Sequence, residues 1–409
     1  MSFGNILKTF SVAPHRMFFA FGVILFIIPM LWWSQYLYLK FFGVVYSTEQ
    51  YPSQAHFIIM LYGGLTQFIL GFALTVFPRW LNTNEISKFH YQLIFVLFAV
   101  GFLLYFIGIF YLNTLALVGI LFVSIGFFTT CVILLKVIIV SNHKGPYQAW
   151  ITLGAFFSGA IGIFFYMIFL ILGDFIFYKI SYGLGVFLYL PLLVYSIIYR
   201  MLPFFTSTVV QNYQVKRIFP LLILWAFFCV LKAIFYIFDL YQWYILSDLG
   251  LLICCLIQFY QWEFFRAKKV WLLKYLYFSV AWFPVSFILY IITSINYIYS
   301  GELNRYLELA SLHALVVGCF SSLIFSMATR VSLGHSGRGL MTGKFENTLF
   351  LLIQITGISR IIFELLGFLG TGYERYVFLS GVLWLVCFIF WAMKYLPIYF
   401  SPRIDGRPG

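Results

Sequence analysis

The chain runs to 409 residues, of which 63% are hydrophobic, 23% aromatic and only 9% charged. Soluble domains carry roughly 25% charged residues, so an ordinary soluble domain is excluded, and six cysteines without a C-x-x-C pair argue against a disulfide or zinc scaffold. The formal charge of +13 points toward nucleic acid taken alone, but the positions of the charges give a better account of it.

Apolar runs of about 20 residues, the length at which a helix crosses a bilayer, recur from end to end. They predict twelve spans, near 17–39, 54–77, 91–111, 114–135, 149–172, 181–202, 218–238, 242–262, 270–293, 309–329, 347–369 and 376–398. The first run is too long for a secretory signal and lacks a small-residue cleavage site, so it reads as span 1. The shortest linkers lie around 112–114 and 239–243. There is no soluble insertion, long linker or internal repeat. The expectation is an all-α, polytopic helix bundle forming a single integral-membrane domain over 1–409.

Numbering the connections by these spans places nineteen of the 25 Lys and Arg on one side, among them Arg16, Arg79, Lys268, Lys269, Arg330, Arg338 and Arg407. Lys40, Lys179, Arg305 and Arg375 fall on the other, and Lys232 and Arg360 lie within spans. Under the positive-inside rule the rich side is cytoplasmic, and both termini are expected there. The basic residues are thus expected at the lipid surface, and nucleic acid is not an expected partner.

In chain order, "APHRMFF" brings His15 and Arg16 to the inner end of span 1, and span 2 opens with "AHFIIMLYGGLTQ". His56 in that stretch is a turn below the outer end and shares a helical face with Met60, Gly63 or Gly64, and Gln67. Those glycines leave room for a flat cofactor or for a close helix neighbour. "FPRWL" after span 2 and "YRMLPFFTS" at the end of span 6 add polar groups beside aromatics on the inner side. In span 7, Lys232 with Asp239 reads as a snorkelling lysine and an interfacial carboxylate. All six cysteines fall inside apolar spans and read as packing residues.

Span 10, "LELASLHALVVGCF", also runs from outside to inside. Its His313 sits a turn below the outer end, on a face with Val316, Val317, Phe320 and Ile324. His56 and His313 therefore share a depth, at about 1.5 Å of rise per residue. Ionisable and metal-binding side chains are costly inside lipid, and two histidines at matched depth on separate spans suit axial ligation of a haem. The alternative is a pair of histidines that each hydrogen-bond a neighbour along a helix-packing seam. Arg360 and Glu364 on span 11 stand four apart, as a self-neutralising pair or as a guanidinium for a propionate or another anion.

Span 10 ends in "ATRVSLGHSGRGL", where Arg330, His335 and Arg338 crowd among small residues. Seventeen residues, about 25 Å of helix, separate His313 from Arg330, so this knot belongs to the inner face. A headgroup anchor, the usual role of juxtamembrane arginines, an anion clamp, a metal site using His335 and His15, and a structural cap on span 10 all suit it.

These stretches resemble the NnrS family of bacterial inner-membrane proteins. "LHALVVGCFSSLIFSMATRVSLGHSGRGL" is similar to the family's H-A-L-x-V-G followed by M-x-R-V-x-L-G-H-T-G-R, and "HRMFF", "MLYGGLTQFILGFALTVFPRW", "RMLPFFT" and "SRIIF" extend the likeness from the first span to the eleventh. The resemblance implies haem b and copper, a role in the nitric oxide response, nitrosative stress protection and denitrification, and an electron-transfer partner. The family's second span opens W-H-A-H-E-M. Here Met60 and His56 keep their places, while Ile58 and Ile59 stand at the second histidine and the glutamate, which removes two potential copper ligands. A fainter likeness is to the catalytic subunit of the haem-copper oxidases, whose low-spin haem is held by histidines on spans 2 and 10. Spans 6 and 7, which hold copper there, contain no histidine here. The competing class is a membrane transporter or channel without a cofactor, with Thr66, Gln67, Arg360 and Glu364 along its path. A quinone- or haem-handling assembly factor is a third.

Overall fold

A computed structural model of the protein describes residues 3–44, 47–266 and 271–406. The chain is 83% helical, and among the described residues there is no strand. Lys268, Lys269 and Arg407, counted above on the basic side, lie outside the described residues.

Among the described residues, twelve helices are long and apolar enough to cross a membrane: Pro14–Phe41, Pro52–Trp80, Lys88–Tyr111, Asn113–Val140, Tyr147–Leu172, Phe175–Ser207, Phe219–Ile237, Tyr241–Gln261, Leu272–Ser300, Arg305–His335, Lys344–Phe368 and Val377–Phe400. These are spans 1 to 12 below. Each coincides with one predicted run to within a few residues, and most extend beyond it at one end or both. The extra turns carry the aromatic and polar residues that tolerate the interface, which a search for apolar runs passes over. A short amphipathic helix, Phe3–Phe10, precedes span 1 and packs on span 12.

Consecutive spans pack as neighbours, and span 12 returns to lie against span 1. The tightest pair is spans 3 and 4, joined through the single extended residue Leu112. Small residues let these two backbones meet: a Cβ on Gly101 would lie 2.8 Å from the carbonyl oxygen of Gly119. With no hydrophobic drive between helices in lipid, such close contact is what holds them together. Lipid-facing positions carry Leu103, Val132, Phe227, Leu256 and Ile288, all exposed.

Three spans form the centre. The most apolar stretches of spans 2, 6 and 10 are 89%, 83% and 72% buried, and no other span exceeds 61%. The same three depart from α-helix in mid-course, with π-helical segments at Ile58–Leu65, Leu184–Tyr189 and Ala314–Ser321. A π segment shifts every later side chain around the axis and strains the backbone hydrogen bonds, and such segments are frequent at functional sites. Hydroxyls help repair the ladder. Thr66 donates to the Leu61 carbonyl at 2.9 Å and Ser321 to that of Val316 at 2.9 Å, each reaching back five residues. Thr66 also meets the Tyr189 hydroxyl of span 6 at 2.9 Å, and Trp384 of span 12 donates to Ser321 at 3.3 Å.

Candidate functional site

Both outer histidines stand where an α-helix passes into a π segment. His56 lies two residues before the π turn of span 2, and His313 immediately before that of span 10. They face one cavity between spans 1, 2, 10, 11 and 12, which Met60 and Arg360 also line. Trp33, Trp384 and Val316 supply apolar wall. The expected outer-site residues are therefore together, although no count of turns alone could have shown that their helices are adjacent.

The two imidazoles are held differently. His313 Nδ1 donates to the Leu309 carbonyl at 2.7 Å, which places the proton on Nδ1 and leaves Nε2 an acceptor. That nitrogen lies 3.4 Å from Arg360 Nη2. The Arg360 guanidinium also forms an ion pair with Glu364, both side chains being largely buried. His56 instead stacks on Trp33, with ring centroids 4.4 Å apart and planes 12° from parallel. Its Nδ1 is buried without a hydrogen-bond partner. A buried imidazole nitrogen left unpaired costs free energy unless something else occupies it.

Gly63 and Gly64 point elsewhere. A Cβ on Gly63 would meet Leu25 and Phe102, and one on Gly64 would meet Phe26, so these glycines admit neighbouring helices rather than a cofactor. Gln67 is buried with neither amide atom bonded. Below the histidines a second, apolar cavity lies between spans 1, 2, 6 and 10, lined by Phe19, Phe68, Val194, Phe320 and Ile324. Leu65 contributes to the walls of both cavities. The π turn splits the expected His313 face, sending Val316 and Val317 to the upper cavity and Phe320 and Ile324 to the lower.

At the end of the bundle away from the His56–His313 cavity, the signature knot ties span 10 to the C-terminal tail. Ile404 donates its backbone N–H to the Ser336 carbonyl at 3.1 Å, and a Cβ on Gly337 would run into Asp405. Gly337 itself has φ +75°, which favours glycine. Arg16 donates to the carbonyls of Tyr399 at 3.2 Å and Ser401 at 2.8 Å, tying the start of span 1 to the end of span 12. Arg330 lies over the Phe205 ring at 4.1 Å. Arg338 Nη1 is buried without a partner. The His15 and His335 rings meet at 4.4 Å beside Arg79, well away from the outer cavity.

The reading of Lys232 with Asp239 is corrected by the fold. Lys232 does not snorkel; it pairs with Asp248 of span 8, and both side chains are buried. Phe187, Tyr244 and Tyr290 surround its ammonium, the nearest ring centroid being that of Tyr290 at 3.2 Å. Asp239 pairs with Lys179 instead. The sequence did hold a signal for Asp248, a lone carboxylate inside the apolar run "WYILSDLGLL". Its partner, sixteen residues away on an antiparallel helix, could not be read from spacing.

The model of the NnrS protein family matches residues 9–403, nearly the whole chain, and the protein belongs to that family. No curated protein matches it.

Proposed function

We propose that this NnrS-family protein binds haem b in the outer cavity, where His56 and His313 would hold it, and handles nitric oxide in the bacterial inner membrane with both termini in the cytoplasm. The observation that carries the reading is the state of the two imidazoles. His313 is oriented by the Leu309 carbonyl through Nδ1, the arrangement by which a protein fixes the tautomer of a metal-binding histidine. His56 shares the cavity and has no competing hydrogen bond on its buried nitrogen.

The other residues fit the same group. Arg360, whose Nη2 lies 3.4 Å from His313 Nε2 and which pairs with Glu364, would turn its guanidinium from the imidazole to a propionate when the group binds. Met60, Leu65, Trp33 and Trp384 give the remaining wall large apolar surfaces, with Ser321, Thr356 and Ser380 between them, which suits a flat hydrophobic ring. When bound, the haem would supply a one-electron couple for a redox partner, and nitric oxide would reach the iron only by displacing one of the two histidines. The protein's own part is to hold both imidazoles neutral and oriented, to compensate the propionate charge, and to leave an apolar approach from the bilayer. The lower cavity is apolar and shares the Leu65 side chain with the upper one as a common wall. A small neutral gas partitions into hydrocarbon and reaches such a site directly. Ile58 and Ile59 are buried against the core and offer no metal ligand, so the proposal takes haem alone.

An optical spectrum and metal analysis of the solubilised protein, with and without nitric oxide, test this. A Soret band that shifts with the gas, and is lost in both His56→Ala and His313→Ala, is expected. A colourless, iron-free and folded preparation would favour a cofactor-free transporter.

A further inference from the structure

A second cavity opens at the inner face, between the starts of spans 1 and 3 and the ends of spans 2 and 10. Including its mouth it measures about 780 Å³, and its walls carry His15, Thr75, Arg79, Glu85, Lys88 and His335. His15 is 2% exposed, yet its Nδ1 has no hydrogen-bond partner. The His335 ring lies against it at 4.4 Å, tilted by 45°. Two imidazoles with this little competition are poised for a ligand. The charges around them identify which kind.

Arg16, Arg79 and Arg403 are the cationic neighbours that act on this histidine pair, and Glu85 is its acidic one. Glu85 pairs with Arg79 at 3.4 Å and Asp405 with Arg403 at 2.6 Å, but among the described residues Lys88 on the cavity wall and the Arg16 guanidinium have no carboxylate. The cavity is therefore rich in donors and net positive. A metal cation suits it less well than an anion: Arg79 and Lys88 line the cavity, and Arg16 and Arg403 act on its histidines from outside the lining. Among the described residues no group of three His, Cys, Asp or Glu gathers to hold one. An anion with several acceptor oxygens meets imidazole N–H groups, a guanidinium and an ammonium, the donor set for charge-assisted bonds.

We propose that this inner cavity is an oxyanion site, in which His15 and His335 donate to an anion of the nitrate or phosphate class while Arg79 and Lys88 balance its charge. The site is separate from the haem reading above. His335 lies 22 residues beyond His313 on span 10, about 30 Å away along a helix. The same chemistry could come from a free anion or from the phosphate of an inner-leaflet lipid, since the site sits where headgroups lie.

The test uses the full chain in lipid nanodiscs. In discs of phosphatidylcholine alone, sodium nitrate and sodium phosphate are titrated separately against sodium chloride while thermal stability and calorimetric heat are followed. Saturable binding of nitrate or phosphate, weakened about tenfold or more in His15→Phe by loss of one charge-assisted bond and partly restored in His15→Gln, is the expected result for a free ligand. If the lipid is the source, neither salt binds, and phosphatidylglycerol discs stabilise the wild type but not His15→Phe or Arg79→Gln. The Arg79 side chain is 58% exposed, so its variant keeps the comparison valid should His15→Phe fold poorly. Binding indifferent to all these changes, no response to either anion source, or saturable zinc binding that needs both histidines would each overturn the proposal.

Discussion

Breaking the Lys232–Asp248 pair in Lys232→Met leaves a carboxylate in the membrane interior with no cation. The Lys232 and Asp248 side chains are 3% and 0% exposed, so solvent cannot take over the charge. Removing one member of such a pair costs about 3–5 kcal/mol, whereas replacing both by apolar groups of similar volume is often neutral or stabilising. Lys232→Met also gives up the contact with the Tyr290 ring, worth about 2 kcal/mol when desolvated. Asp248→Leu makes the complementary error and strands the ammonium. Unfolding entropy of roughly 2.1 cal/mol/K per residue makes a chain of 409 residues shift by about 1 °C per kcal/mol. Each single variant is thus expected to melt roughly 3–6 °C below the wild type, measured in one detergent or lipid by a thiol-reactive or intrinsic fluorescence melt. Lys232→Met/Asp248→Leu should recover most of that loss, showing strong non-additivity. Single variants that melt with the wild type, or a double variant that loses the sum of both, would refute a desolvated pair and place water beside it. A double variant that is stable but changed in activity would assign the pair a functional role, the default reading for ionisable residues within a membrane.

The remaining expectations address other links of the same argument. Thr66→Val removes the hydroxyl that serves the Leu61 carbonyl and the Tyr189 hydroxyl, and should cost about 1–3 kcal/mol; Thr66→Ser, melted in parallel, should restore it. Gly101→Val pushes a side chain into the backbone of span 4 and should destabilise by about 1–3 kcal/mol or more, without altering the visible spectrum of the purified protein. Gly337→Ala combines an unfavourable φ with a clash against Asp405, so limited proteolysis should release the C-terminal tail faster than in the wild type. At Asp239, burial alone would raise the carboxyl's pKa, but hydrogen bonds from Lys179 and Tyr241 outweigh it and hold it below the ordinary value. A depressed pKa stabilises above the unfolded value of about 4 and is lost as pH falls through the folded one. The melting temperature of the wild type should therefore approach that of Asp239→Asn only under acid conditions, by less than about 1 kcal/mol because the side chain is exposed.

The amino-acid sequence by itself determined the number and placement of the spans, because the cost of putting a residue in hydrocarbon is local and sums along the chain. It also singled out His56, His313 and Arg360, since polar groups inside apolar runs stand out against their background. Tertiary structure decided what those residues face. The π turns in spans 2, 6 and 10 have no periodic signature, and they rotate Phe320 and Ile324 away from the His313 cavity into the apolar one below. Lys232 looked closest to Asp239 in sequence, but the antiparallel packing of spans 7 and 8 brings Asp248 to it and leaves Asp239 to Lys179. Gly63 and Gly64 suited a cofactor as well as a helix until the fold placed span 1 against them. In each case the missing information was which helix lies beside which, a property of packing between distant segments that hydropathy along one segment does not carry.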